Sequence, residues 1–205
     1  MTYDTLNPQI VRYILEDAQP DARILDVGCG TGRLGRLLKL KINCHITGID
    51  IDRQATDIAK DSYDEIMVID LENLINKSDE FKSNKKFKFI IFGDILEHTT
   101  KPEYLLKYFS NFLEGDGFVI VSIPNIANWM LRIRLLFGNF DYKGGILDQG
   151  HLRFFTYRTA RMLLEDNGYK IISVINNNQT RLFRFLGRLW KSMFAFQFVF
   201  KCVKR

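Results

Sequence analysis

Apolar positions along this chain keep two rhythms, short unbroken runs and longer stretches spaced by three and four, and the two alternate. The runs Arg23–Val27, His45–Ile49, Glu65–Ile69, Phe87–Phe92, Phe118–Ile123 and Tyr169–Val174 predict strands, and FAFQFVFKCV at residues 194–203 predicts a seventh. Between them Leu34, Leu37 and Leu38 keep helical spacing, and residues 53–59 are helix-like. Pro102 opens a helix with one apolar stripe of Leu105, Leu106, Phe109, Phe112 and Leu113, after which EGDG predicts a turn into the fifth strand. Thr156 opens a further helix that Gly168 closes. Strands that alternate with helices predict a parallel sheet.

The junction after the first strand has an unusual composition. ARILDVGCGTGRLGRLL places Gly28, Gly30 and Gly32 between a strand and a helix. Glycine there permits positive φ and lets a ligand touch main chain with no Cβ in the way. The helix that follows aims free N–H groups into the same space, so the turn points to a nucleotide-like ligand. A dinucleotide turn reads G-x-G-x-x-G from the strand end. Gly30, Gly32 and Gly35 match that spacing but start late, and counted from Gly28 the third glycine position holds Arg33. Asp26, two residues before the loop, would repel a pyrophosphate and attract a ligand that carries an amine and a sulfonium. The same carboxylate could instead accept loop N–H bonds, and the two roles are compatible. Cys29 supplies the small side chain the loop needs.

At 205 residues, 46% hydrophobic and with four prolines, the chain fits one domain with a substantial core, and it shows neither repeat nor low-complexity linker. MTYDTLNPQ has no leader-like pattern and no apolar run approaches the ~18 residues of a spanning helix, which predicts a cytoplasmic protein. Cys29, Cys44 and Cys202 are too few and too scattered for a disulfide framework or a zinc site. The net charge is +5, but Arg181, Arg184, Arg188, Lys191, Lys201, Lys204 and Arg205 put seven positives in the last 25 residues, so the first 180 carry about −2. A uniformly basic nucleic-acid binder is not patterned this way.

Acids stand at three successive strand ends, Asp50, Asp70 and Asp94. In an open α/β sheet ligands bind beyond the carboxyl ends of the strands, so the three are expected to line one crevice. Asp50 falls 22 residues after Gly28, where a carboxylate takes both ribose hydroxyls, and Asp70 can accept from an adenine amino group. Each acid alone also reads as an ordinary cap or turn residue.

ILDVGCGTG, ITGIDID, VIDLEN and FKFIIFGDILEH together resemble the motifs of the class I S-adenosylmethionine-dependent methyltransferases, over nearly the whole chain. EGDGFVIVSIPN and HLRFFTYRTARMLLEDNGY are similar to the subgroup often found among bacterial sugar, glycan and small-molecule methyltransferases. The resemblance implies a Rossmann-like, doubly wound sheet of seven strands in the order 3-2-1-4-5-7-6, the last strand antiparallel. It implies one domain over residues 1–205, with substrate-side lid insertions at about 125–155. By the same resemblance Asp26, Gly28, Cys29, Gly30 and Gly32 hold the methionine part of S-adenosylmethionine. Asp50 takes the ribose, Asp70 and Leu71 the adenine, Gly93 and Asp94 border the methyl group, and Ile51 is a further cofactor contact.

Methyl transfer is an in-line displacement at an activated carbon, so an alcohol nucleophile needs mainly positioning and a base near neutral pKa. His98 and His151 are the candidate catalytic residues, while His45 precedes the second strand, far from its carboxyl end. Arg153 and Trp129 are candidate substrate contacts. The expectation is a reaction without a divalent metal. A second reading takes Asp94, Glu97 and His98, D-x-x-E-H, as similar to the E-x-x-E-H metal site of some ubiquinone-biosynthesis O-methyltransferases and small-RNA end methyltransferases, with His151 as a further ligand. Carboxylate and imidazole suit Mn²⁺ or Zn²⁺ better than Mg²⁺, and aspartate in first place departs from that pattern. RLFRFLGRLWKSMF at 181–194 reads as an amphipathic helix, either covering the core or lying at an anionic membrane face. The expected function is O-methylation of a small molecule or sugar/glycan intermediate, releasing S-adenosylhomocysteine. A nucleic-acid methyltransferase and a non-catalytic cofactor-binding scaffold are the alternatives. Against the first, GDILEH stands where an N-P-P-Y-type base-holding motif would.

Overall fold

The computed structural model describes residues 6–77, 81–142, 144–177 and 190–205. Its strands are β1 (Ala22–Val27), β2 (Cys44–Asp50), β3 (Glu65–Val68), β4 (Phe87–Gly93), β5 (Leu113–Pro124), β6 (Tyr169–Asn177) and β7 (Gln197–Lys204). The helices are α1 (Pro8–Asp17), α2 (Arg33–Lys39), α3 (Arg53–Ala59), α4 (Leu71–Ile75), α5 (Pro102–Ser110), α6 (Trp129–Leu136), α7 (Tyr157–Asp166) and α8 (Lys191–Phe194). The strands form one sheet in the order β3-β2-β1-β4-β5-β7-β6. Its first five members are parallel, and β7 runs antiparallel between β5 and β6. Both the order and the antiparallel last strand are as expected.

The central strands are apolar on both faces because each face is covered. Ile24, Phe89, Ile91, Ile120 and Val199 pack with Ile10 and Ile14 of α1 and Leu34 and Leu38 of α2. Their neighbours Leu25, Ile90, Phe92, Val121 and Phe200 point the other way, onto Leu105, Leu106 and Phe109 of α5 and Leu164 of α7. Parallel pairing brings the carboxyl ends of β1, β2 and β4 to one edge, where the loops that carry Gly28, Asp50 and Asp94 emerge. Thr156 caps α7 in a reciprocal capping box with Thr159, and Gly168 beyond its end takes φ +86°, matching the anticipated boundaries.

Four details differ from the sequence expectation. Helix α1 was not anticipated, although Asn7 caps Gln9 N–H and Pro8 opens the helix, a local start signal. Helix α5 ends at Ser110, so Phe112 and Leu113 leave the stripe and Leu113 begins β5 opposite Phe87. EGDG is therefore an irregularity inside β5: the next pair is Phe89 with Phe118, and Lys88 holds the bulged segment through the Asp116 carbonyl and carboxylate. Phe194 belongs to α8, and β7 starts only at Gln197. Of the anticipated 181–194 helix, Arg181, Arg184 and Arg188 lie outside the described residues. Among the described residues no helix is long and apolar enough to cross a membrane.

Candidate active site

The glycine loop is fastened to β2 at three points. Gly28 N–H and Cys29 N–H both donate to the Ile49 carbonyl, at 2.8 and 3.0 Å, and Gly30 N–H donates to the Asp50 carboxylate at 2.8 Å. The other Asp50 oxygen accepts from Asp52 N–H at 2.9 Å. Asp50 thus ties the loop to the end of β2 with lone pairs still available, and Ile51 beside it is 62% exposed. Asp70 caps α4 through Glu72 N–H, and half-buried Leu71 packs on the core next to it.

Two glycine positions answer to packing. A Cβ on Gly32, which caps α2 at φ +81°, would lie 2.8 Å from the Ala59 Cβ. One on Gly28 would lie 2.9 Å from the Ile95 side chain. Asp26 is 4% exposed and accepts a 2.5 Å hydrogen bond from the Tyr63 hydroxyl, so the anticipated loop N–H partners go to Ile49 and Asp50 instead. Burial pushes the Asp26 carboxyl up to about 6 against the pull of the Tyr63 bond, with nearby Asp50 adding to the rise.

A cleft runs from this loop to the end of β4, lined by Asn7, Ile10, Asp26, Gly28, Cys29, Arg33, Gly93 and Asp94. Asp94 holds φ +54° and accepts from the Ser122 hydroxyl at 2.8 Å and from the Gln197 side-chain amide. Asn7 closes the network, donating to Gln197 Oε1 at 2.7 Å and to Ser122 Oγ at 3.3 Å. Burial raises the Asp94 carboxyl, and the Ser122 and Gln197 bonds oppose the rise.

His98 and His151, 53 positions apart, meet edge to face with ring centroids 4.6 Å apart. The Glu97 carbonyl accepts from Leu152 N–H at 2.8 Å and Arg153 N–H at 3.0 Å, which straps the two loops together. Each ring turns Nδ1 to a carbonyl at 2.9 Å, His98 to Gly150 and His151 to Ile146, which makes Nε2 the lone-pair nitrogen of the neutral ring. Burial lowers the His151 pKa, so that ring is neutral at physiological pH. Beside them sits Glu97, 1% exposed, its two carboxylate oxygens without a hydrogen-bond partner among the described residues. Burial, with Asp94 nearby, raises its pKa well above the carboxylate range.

One ligand atom from each of Glu97, His98 and His151 lies within 4.8 Å of the others. Of the residues in the metal-site alternative, Glu97, His98 and His151 come together, while Asp94 accepts from Ser122 and Gln197. Arg153 Nη2 donates to the Thr100 carbonyl at 2.5 Å, and Trp129 is half-buried at the start of α6. Phe154, Phe140 and Tyr142 continue from His151 in a chain of ring contacts at 6.3, 6.2 and 5.3 Å.

The sequence matches the methyltransferase-domain family over residues 3–174. It is 25% identical over 131 residues to a ubiquinone biosynthesis O-methyltransferase of Pelagibacter ubique, an alignment that covers 58% of this chain and 54% of that one. The chain therefore spans about half the length of that relative. A ubiquinone biosynthesis O-methyltransferase of Coxiella burnetii is 27% identical over 179 residues, covering 82% of this chain and 73% of its own. In fold, the magnesium protoporphyrin IX methyltransferase of Synechocystis PCC 6803 with bound S-adenosylhomocysteine superposes with a TM-score of 0.68 at 17% identity, over 97% of this chain and 81% of that one. With the sheet order and the loop geometry, the match over residues 3–174 places this chain in the methyltransferase-domain family, among the class I S-adenosylmethionine-dependent methyltransferases.

Proposed function

We propose that this protein transfers a methyl group from S-adenosylmethionine to a hydroxyl oxygen of a small molecule with an apolar or aromatic body. The observation that carries the reading is the cleft that runs from Asp26 and the glycine loop to Asp94 at the end of β4, with His151 and His98 close enough to Asp94 to favour its charged form. In this reading Asp26, Gly28, Cys29, Gly30 and Gly32 hold the methionine part. Asp50 with Ile51 takes the ribose, Asp70 with Leu71 the adenine, and Gly93 with Asp94 flank the reacting end. The bound cofactor supplies a methyl carbon already activated by sulfonium. The chain positions the acceptor oxygen, excludes water and takes up its proton. His151 is the base, neutral at physiological pH and oriented by its bond to Ile146, with His98 against it. The ring chain from His151 through Phe154 to Phe140 offers the acceptor an apolar wall, and Trp129 and Arg153 are assigned as further acceptor contacts. The O-methyltransferase names of the relatives agree with this choice of atom.

His151→Ala is expected to keep cofactor affinity and to lower turnover by about 100-fold or more, the usual worth of a positioned base. Following S-adenosylhomocysteine release with hydroxylated small-molecule acceptors checks this, and unaltered turnover would reduce His151 to a packing residue.

A specific observation also favours a metal-assisted form. A carboxylate buried to 1% exposure with neither oxygen partnered, beside two histidines whose Nδ1 atoms are turned away to carbonyls, is a donor set that fits a divalent cation. Glu97, His98 and His151 would hold it, and its chemistry there would be to lower the pKa of a bound hydroxyl.

A further inference from the structure

We propose that Tyr63 is a positioning residue of the cofactor site, whose hydroxyl keeps the Asp26 carboxylate aimed into the cleft for the ammonium group of S-adenosylmethionine. This rests on the assignment of Asp26 to the methionine part of the cofactor.

Three glycines from two elements and a cap give up their side chains to one ring. A Cβ on Gly35 would stand 2.4 Å from Tyr63 Cε2, one on Gly48 2.9 Å from Cδ1, and one on Gly32 3.1 Å from Cε2. The first two distances are closer than real Cβ contacts come and the third is tighter than most, so the ring occupies a space walled by α2, its cap and β2. That space holds Tyr63 next to Ala59 and Cys29 in the core on the α1–α2 face. A phenylalanine ring would fill it equally well. The hydroxyl adds two bonds: it accepts from Gly35 N–H at 3.3 Å and donates its single proton to Asp26 Oδ2 at 2.5 Å. A chain of donors of this kind, from backbone amide to phenol to carboxylate, strengthens each bond in turn.

The other groups that face Asp26 do not do this work. Asp50 disfavours its charge, and Cys29 is a thiol pushed up by burial and therefore neutral. Arg33 and Asp94 line the same cleft. Tyr63 is the group that hydrogen-bonds the charged form of a carboxylate otherwise raised to about 6 by burial.

The test is calorimetric titration of the full chain with S-adenosylhomocysteine from about pH 5.5 to about pH 8.5, a range that brackets the raised carboxyl. Wild type, Tyr63→Phe, Asp26→Asn and the double variant are compared. Wild-type affinity is expected to fall as pH drops through about 6, where Asp26 takes up a proton. Without the phenol the carboxyl rises further, so Tyr63→Phe should lose affinity at a higher pH. It should bind about tenfold more weakly at neutral pH, the effect of one lost hydrogen bond to a charged group. Tyr63→Phe added to Asp26→Asn should cost nothing more. Superimposable profiles for wild type and Tyr63→Phe would overturn the proposal, as would the same tenfold loss in the Asp26→Asn background. A wild type that does not bind at all would overturn the cofactor assignment and this proposal with it, which separates the two failures.

Discussion

Asp50→Ala is expected to weaken S-adenosylmethionine binding by about 2–4 kcal/mol, the worth of two charge-assisted hydrogen bonds to the ribose. The loss should sit at the upper end of that range, because the same carboxylate accepts from Gly30 N–H and Asp52 N–H and so also fixes the loop against β2. Calorimetry on the folded variant checks this. Unchanged affinity would remove Asp50 from the ribose site and leave it as a loop fastener.

The second large effect concerns Glu97. If Glu97, His98 and His151 hold a divalent cation, saturating Mn²⁺ at about 100 times its dissociation constant should stabilise the wild type by about 2.7 kcal/mol. For a chain of this length that raises Tm by about 5–10 °C. Glu97→Gln should lose most of that shift, since an amide is a poor replacement for a charged ligand. Without added cation the same variant should differ little in stability from the wild type, because burial already holds the Glu97 carboxyl toward its neutral form and the amide is similar in size and polarity. Equal shifts in the two proteins, or no shift in the wild type, would contradict the metal-assisted form and leave His151 as the base acting alone.

The strands and the cofactor edge of the sheet are legible in the sequence because they are local patterns. The runs that became β1, β2 and β4 needed only their apolar periodicity, and Gly28, Asp50 and Asp94 lie next to the strand ends. The turn at EGDG was misread for a complementary reason: its residues are turn formers, but the register with β4 absorbs them as a bulge held by Lys88. The supports of the site are illegible because they come from far away. Tyr63 reaches Asp26 across 37 positions, Gln197 reaches Asp94 across 103, and Asn7 reaches Ser122 across 115. No window of sequence contains both partners. Gly35 and Gly48 were visible, but only the fold shows that both make room for one ring. D-x-x-E-H is visible as a local motif, but the partners of Asp94, Ser122 and Gln197, and the return of the loop carrying His151 to Glu97 are long-range and visible only in the fold.

Titrating the purified protein with S-adenosylmethionine, with NAD as the control, before and after treatment with a chelator, reads whether the cleft between the glycine loop and Asp94 takes this cofactor. Saturable binding of S-adenosylmethionine alone, undiminished by the chelator, is the predicted result, since no residue assigned to the cofactor is among Glu97, His98 and His151. Binding of NAD alone would contradict it, and would mean that Gly30, Gly32 and Gly35 form a dinucleotide turn.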